Sequence, residues 1–200
     1  RGEFAEAWKT HPECLKEPDD IAQVKEWIEG IVARQTAQAN AHLVMGLFLA
    51  QPGQSEQSIA SYKQSITLAP QSAYPHYFLA QIHERANHLE MAIKEYREAV
   101  RLDPSYAPAR TNLGVAYHLA GRPRDAARAL EKALKMNSAM LPANLILGIS
   151  YIKLGQPRDA VAPLERVLEK SPTHRDALLA LASAYFALER FDDAAKVYLR

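Results

Sequence analysis

Cysteine occurs once in the 200 residues, at Cys14, so no disulfide can close within the chain. A single thiol neither demands nor forbids an oxidising compartment, and the cytoplasm is the default expectation. Charge of one sign is also missing. Lys and Arg number 24 against 23 Asp and Glu, a formal net charge of +1, so no global field marks nucleic acid or an anionic membrane as partner. There is no apolar run of about 18 residues and no basic segment followed by an apolar one at the N-terminus, so neither a membrane span nor a signal peptide is legible. The opening Arg1-Gly2-Glu3-Phe4 reads as a cloning remnant and Arg200 falls inside a repeated unit, which together suggest an excised fragment. Metal and nucleophile signatures are scarce too. His83, Glu84 and His88 are close in sequence, but the imidazoles are not one helical turn apart, and His11 with Cys14 has no second ligand pair. No Ser, His and acidic set comes with the context that nucleophilic catalysis needs, so no metal, cofactor or catalytic residue is expected.

What is present is a 48% hydrophobic, 24% charged composition, enough to build a substantial core, and a repeat. Leu113-Gly114-x-x-Tyr117 superposes on Leu147-Gly148-x-x-Tyr151, and Gly121-Arg122-Pro123-Arg124-Asp125-Ala126 on Gly155-Gln156-Pro157-Arg158-Asp159-Ala160, at an offset of 34 residues. The same frame starts units at Ala39, Ala73, Ala107, Leu141 and Arg175. Its eighth position is Gly46, Ala80, Gly114, Gly148 and Ala182, and its twentieth is Ser58, Ala92, Ala126, Ala160 and Ala194. Position 24 is Tyr or Leu throughout, and position 32 is Pro70, Pro104, Ser138 and Pro172. This pattern resembles the tetratricopeptide repeat (TPR), a helix-turn-helix unit of 34 residues. The resemblance covers residues 39–200 as units 39–72, 73–106, 107–140, 141–174 and 175–200.

Periodicity supports the match independently of the name. Positions 7, 8 and 11 (Leu113, Gly114, Tyr117) share one helical face, and positions 20, 24 and 27 (Ala126, Leu130, Ala133) share another. Small residues at 8 and 20 would let two antiparallel helices approach closely. Gly53, Asn87, Gly121, Gly155 and Glu189 fall at position 15, where a left-handed residue ends a helix, and Glu189 should be strained there by roughly 1–2 kcal/mol. Pro123, Pro157, Pro108 and Pro142 suit first helical turns, whereas Pro163 should mildly kink a second helix. Ser58 and Ser65 replace alanines and should weaken the first unit. The expected fold is all-α, a right-handed solenoid of antiparallel helix pairs. Ile21, Val24, Ile28 and Ile31 predict a capping helix over 20–35, so residues 1–38 read as a degenerate unit preceding the array.

The resemblance implies that first helices line a concave wall, with positions 2, 5, 6, 9, 12 and 13 facing it. Tyr74, Tyr77, Phe78, Gln81 and Arg85 stand there in the second unit, Asn112, Val115 and His118 in the third, Ile149 and Lys153 in the fourth. That wall is unusually apolar and reads as a groove for a peptide or helix of a partner protein with apolar anchors. Tyr77, Gln81, Arg85, Asn112, His118 and Lys153 are expected to face solvent, with both groups of the Asn112 amide available to a peptide backbone. Leu43, Leu145 and Leu179 are expected to pack between helices. One TPR subset grips a C-terminal carboxylate through Lys, Asn and Arg at set positions. Leu43, Leu47, Tyr77, Gln81, Leu145 and Ile146 stand at those places and only Asn112 matches, so that clamp is not expected. Arg122, Arg124, Arg128, Lys132 and Lys135 read as a solvated face. The function expected is a protein-binding scaffold or adaptor and not an enzyme. Two alternatives are self-assembly into an oligomer through the last unit, and a regulatory segment of a larger enzyme.

Overall fold

The computed structural model describes residues 39–51 and 53–199, so the capping helix expected over 20–35 lies outside the described residues. The described residues form ten α-helices and no strand: α1 Ala39–Phe48, α2 Ser55–Leu68, α3 Ala73–Arg85, α4 Leu89–Leu102, α5 Ala107–Leu119, α6 Pro123–Met136, α7 Leu141–Lys153, α8 Pro157–Lys170, α9 Arg175–Ala187 and α10 Phe191–Tyr198. They pair as α1/α2 through α9/α10, one antiparallel pair per unit, and each helix packs on the next to give an all-α repeat solenoid.

The turns inside the last four pairs obey one rule, whereas at Gly53 the next N–H, of Gln54, reaches only to the Gln51 carbonyl. Asn87, Gly121, Gly155 and Glu189 have φ of 57°, 71°, 70° and 59°, and Gly53 has 87°. A left-handed residue at this place lets the next N–H reach back five residues to the helix. His88 donates to the His83 carbonyl at 2.8 Å, and Arg122 to Tyr117, Gln156 to Tyr151 and Arg190 to Tyr185 at 2.9 Å each. The prolines open helices as expected, with Pro108, Pro123, Pro142 and Pro157 all in first turns, and α8 runs on through a buried Pro163.

Close approach within a unit has a more specific cause than small residues facing each other. A Cβ on Gly46 would lie 2.4 Å from the Tyr62 ring, and one on Gly114 or Gly148 would lie 2.5 Å from Cγ of Leu130 or Leu164. Position 8 is small because the large side chain of position 24 occupies its space, and Tyr62, Leu130 and Leu164 are in consequence almost completely buried. The two serines that replace alanines in unit one both find acceptors. Ser58 Oγ donates to the Gly46 carbonyl at 2.7 Å and Ser65 Oγ to the Ala39 carbonyl at 2.8 Å, so both buried hydroxyls tie α2 to α1. Between units, Ala99 packs with Ala109 of the next unit, a second small-to-small contact at positions 27 and 3. The largest core cluster runs from Ala80 and Tyr96 through Tyr117 and Leu130 to Ala143 and Leu147, spanning units two to four.

Candidate functional site

All ten expected wall residues lie on the first helices α3, α5 and α7, and none is buried: Tyr74, Arg85 and Lys153 are exposed and the other seven half-buried. The contrast with their neighbours is a consequence of helical phase. Leu79, Leu113 and Leu147 at position 7 are buried in the core, while Phe78, Asn112 and Ile146 at position 6 stay half-buried at its edge.

The structure gathers the first group into an aromatic cluster. Tyr77 lies 5.1 Å from Phe78, 5.9 Å from Tyr96 and 5.0 Å from Tyr106 by ring centroids, and Tyr106 continues it to Tyr74 at 5.4 Å. Phe78 stacks in turn on Tyr62 at 6.0 Å. A polar chain threads the same rings. Gln81 Nε2 donates to the Tyr77 hydroxyl at 3.0 Å, Asn112 Nδ2 approaches the Tyr77 and Tyr96 hydroxyls at 3.3 and 3.4 Å, and the Tyr96 O–H donates to Glu84 Oε2 at 2.7 Å. Burial pushes the Tyr77 and Tyr96 hydroxyls above the usual phenol range, and the Glu84 carboxylate adds to this at Tyr96.

This corrects the expectation that Tyr77 and Asn112 simply face solvent. Tyr77 bridges α3 to α5, and the amide nitrogen of Asn112 is spent on two tyrosines. Asn112 Oδ1 makes no hydrogen bond to another described residue, so only the donor half of the amide is engaged. Tyr96 and Tyr106 are members of the cluster that the wall positions omit, while Glu84, which accepts from Tyr96, stands at wall position 12. Tyr96 carries a signal, the position 24 tyrosine, but it reads as core.

The second group is polar. His118 Nδ1 lies 3.3 Å from Ser150 Oγ on α7, and Ser150 donates its own proton to the Ile146 carbonyl at 2.7 Å. Ser150 must therefore accept, and His118 Nδ1 carries a proton. Burial and the nearby Lys153 ammonium hold the His118 imidazole below its ordinary value. Val115 and Ile149 stay half-buried on α5 and α7, and Leu119 is 55% exposed. Leu43 is buried as expected and Leu145 packs against the core, but Leu179 is 44% exposed and belongs to the surface. His83 and His88 flank the Asn87 turn with ring centroids 6.3 Å apart, and among the described residues no group of three or more His, Cys, Asp or Glu is placed to hold a metal ion. Among those residues no helix is long and apolar enough to cross a membrane.

Stacked helix pairs with a half-exposed apolar wall define a helical-repeat scaffold for protein interaction. Tetratricopeptide repeat profiles match residues 39–72, 85–121, 109–143 and 145–200. The chain belongs to the tetratricopeptide repeat family. No curated protein matches it in sequence. Among solved structures it is similar to YrrB, described as a TPR protein with an unusual peptide-binding site, at 19% identity over 85% of this chain and 91% of that one, TM-score 0.76. It is similar to MamA at 22% identity over 80% and 87% of the two chains, TM-score 0.75, and to pilF of Pseudomonas aeruginosa at 23% identity over 83% and 75%, TM-score 0.66. At these identities the likeness is one of fold.

Proposed function

We propose that the wall of first helices in units two to four binds a peptide or helix of a partner protein through apolar anchors. The carrying observation is a row of apolar side chains that the core leaves exposed or half-exposed, from Tyr74 and Phe78 through Val115 and Leu119 to Ile149. Its polar points are Gln81, Arg85, Asn112, His118 and Lys153. Clusters of this kind rimmed by polar groups mark recognition surfaces. The set lacks the cations of a carboxylate clamp, so the anchor is apolar and not a C-terminal carboxylate. Val115→Asp with Ile149→Asp tests this without cutting the Tyr77 network. Partners captured by the unaltered chain and identified by mass spectrometry should be lost, with far-ultraviolet circular dichroism unchanged. Retention of every partner by the double variant sinks the groove.

A second reading rests on a different surface. On α9, on α10 and at the residue that follows it, Phe186, Phe191, Tyr198 and Leu199 are 66%, 57%, 72% and 86% exposed, and Phe186 meets Phe191 edge-on at 5.4 Å. A face this apolar suits stacking on another helix pair, including that of a second copy. Sedimentation of Phe186→Glu/Phe191→Glu beside the unaltered chain decides it. A monomer at all concentrations before substitution removes self-assembly.

A further inference from the structure

The repeat supplies its own control for an outer surface that the groove does not include. In units four and five the tyrosine at position 11 donates to a glutamate at position 25 of the preceding unit, Tyr151 to Glu131 and Tyr185 to Glu165, at 2.8 Å each. Unit three has the same tyrosine, Tyr117, only 9% exposed, but the residue 34 places before Glu131 is Arg97. The Tyr117 hydroxyl makes no hydrogen bond to another described residue. Where two units hold a carboxylate, this one holds a phenol donor and a cation.

The surroundings extend that change of sign. A cleft of about 320 Å³ lies between α4 and α6, floored by Tyr117 of α5 and lined by Arg97, Arg101, Arg110, Arg128 and Lys132. Its one acid, Asp125, is held by Arg122 at 2.8–2.9 Å, and Arg101 is gripped by Glu98 at 2.6 Å. Arg97, Arg128 and Lys132 form no ion pair with a described residue. Arg110 donates from Nη2 to the Pro104 carbonyl at 2.8 Å, which leaves its buried Nε a donor without an acceptor. Two units further on, the equivalent cleft of about 400 Å³ is lined by Glu165, Glu169, Asp193 and Lys196 around Tyr185. The shape therefore belongs to the fold, and the charge belongs to this unit. Clustered like charges repel one another, and a bound anion removes that cost.

We propose that the cleft between α4 and α6 binds an acidic peptide segment of a partner protein. One carboxylate takes the place on Tyr117 that Glu131 and Glu165 hold on the other tyrosines, and its neighbours pair with Arg97, Arg128 and Lys132. This differs from the solvated face read from α6 alone, because α4 and α5 bring Arg97, Arg101 and Arg110 onto the same cleft. A nucleic acid fits less well: the cations converge on one pocket instead of tracking a backbone, and the only aromatic there is buried.

The test is fluorescence anisotropy of the full chain with an N-acetylated, C-amidated oligoglutamate at low ionic strength, beside a single-stranded oligothymidylate of equal charge. Arg97→Glu rebuilds the tyrosine–glutamate bond of units four and five, so it should keep the helix content and weaken the peptide at least about tenfold. Arg128→Glu with Lys132→Glu, at exposed sites on α6, should do the same, and this pair decides the question if Arg97→Glu misfolds. Arg158→Glu, a control substitution elsewhere on the surface, should leave affinity unchanged. The proposal is overturned if no peptide binding is detected or if the cleft variants bind as tightly as the control. It is overturned equally if the oligothymidylate binds more tightly with the same residue dependence.

Discussion

Gly114 shows how a residue chosen against its own propensity can be required by its neighbour. In an isolated helix Gly→Ala gains about 1 kcal/mol, but here the new methyl would sit 2.5 Å from Cγ and 2.6 Å from Cδ2 of Leu130, which has no exposed surface to move into. Overpacking of this kind costs about 1–3 kcal/mol, so Gly114→Ala should lower Tm in spite of the better helix former. Unit two carries the other solution, Ala80 with a fully buried Tyr96 at position 24. Gly114→Ala combined with Leu130→Tyr should recover part of the loss, and a thermal double-mutant cycle measures the coupling. No recovery would mean that position 8 is set by something other than position 24. Glu189 is the converse case. At φ 59° it carries strain that glycine would relieve, roughly 1–2 kcal/mol less the roughly 0.5–1 kcal/mol of extra unfolded-chain freedom. Glu189→Gly should therefore raise Tm by a small amount, and a lower Tm would show that the Glu189 side chain does more than tolerate its turn.

Helices, turns and pairing were legible because they depend on contacts within one unit, where periodicity and turn chemistry speak directly. Position 15 is the clearest example, since Asn87 and Glu189 adopt the same left-handed turn as the three glycines. Contacts between units were not legible. The Ala99 to Ala109 packing, the tyrosine–glutamate bonds of Tyr151 and Tyr185, and the bridge from His118 to Ser150 depend on how one pair is rotated on the next. The α5–α7 bridge has a measurable consequence. Burial, then Lys153, holds the His118 imidazole below its ordinary 6.5 in the folded chain, and burial does the same to His83. The unfolded chain then binds more protons than the folded one below about pH 6.5, so stability is full above that pH and falls as the solution is acidified through the folded values. Urea midpoints measured through that range should decline. His118→Asn should flatten the decline, and a slope unchanged in both His118→Asn and His83→Asn would assign the titration elsewhere.

For the whole molecule the wall was legible as a set of positions and not as an arrangement. The repeat register placed all ten residues on first helices, yet the centring of the aromatic cluster on Tyr77 followed from Tyr96 and Tyr106, which the register marks as core and linker. That cluster lies over the central core of units two to four, so the proposed binding wall stands on the part of the array with most buried side-chain packing. Toward the other end α10 has eight residues and Val197 as its one buried side chain. In an array whose stability is a sum of unit and interface contributions, the two regions should open separately. Hydrogen exchange followed by mass spectrometry should find the slowest amides in α4 to α6 and the fastest helical ones in α10. Gly114→Ala should speed exchange outward into α4 and α7, through the core it shares with Tyr96 and Leu147, whereas Val197→Ala should be felt in α9 and α10 alone. If both substitutions accelerate every helix equally, the array unfolds as one cooperative body, and the wall has no local stability of its own to lend to a partner.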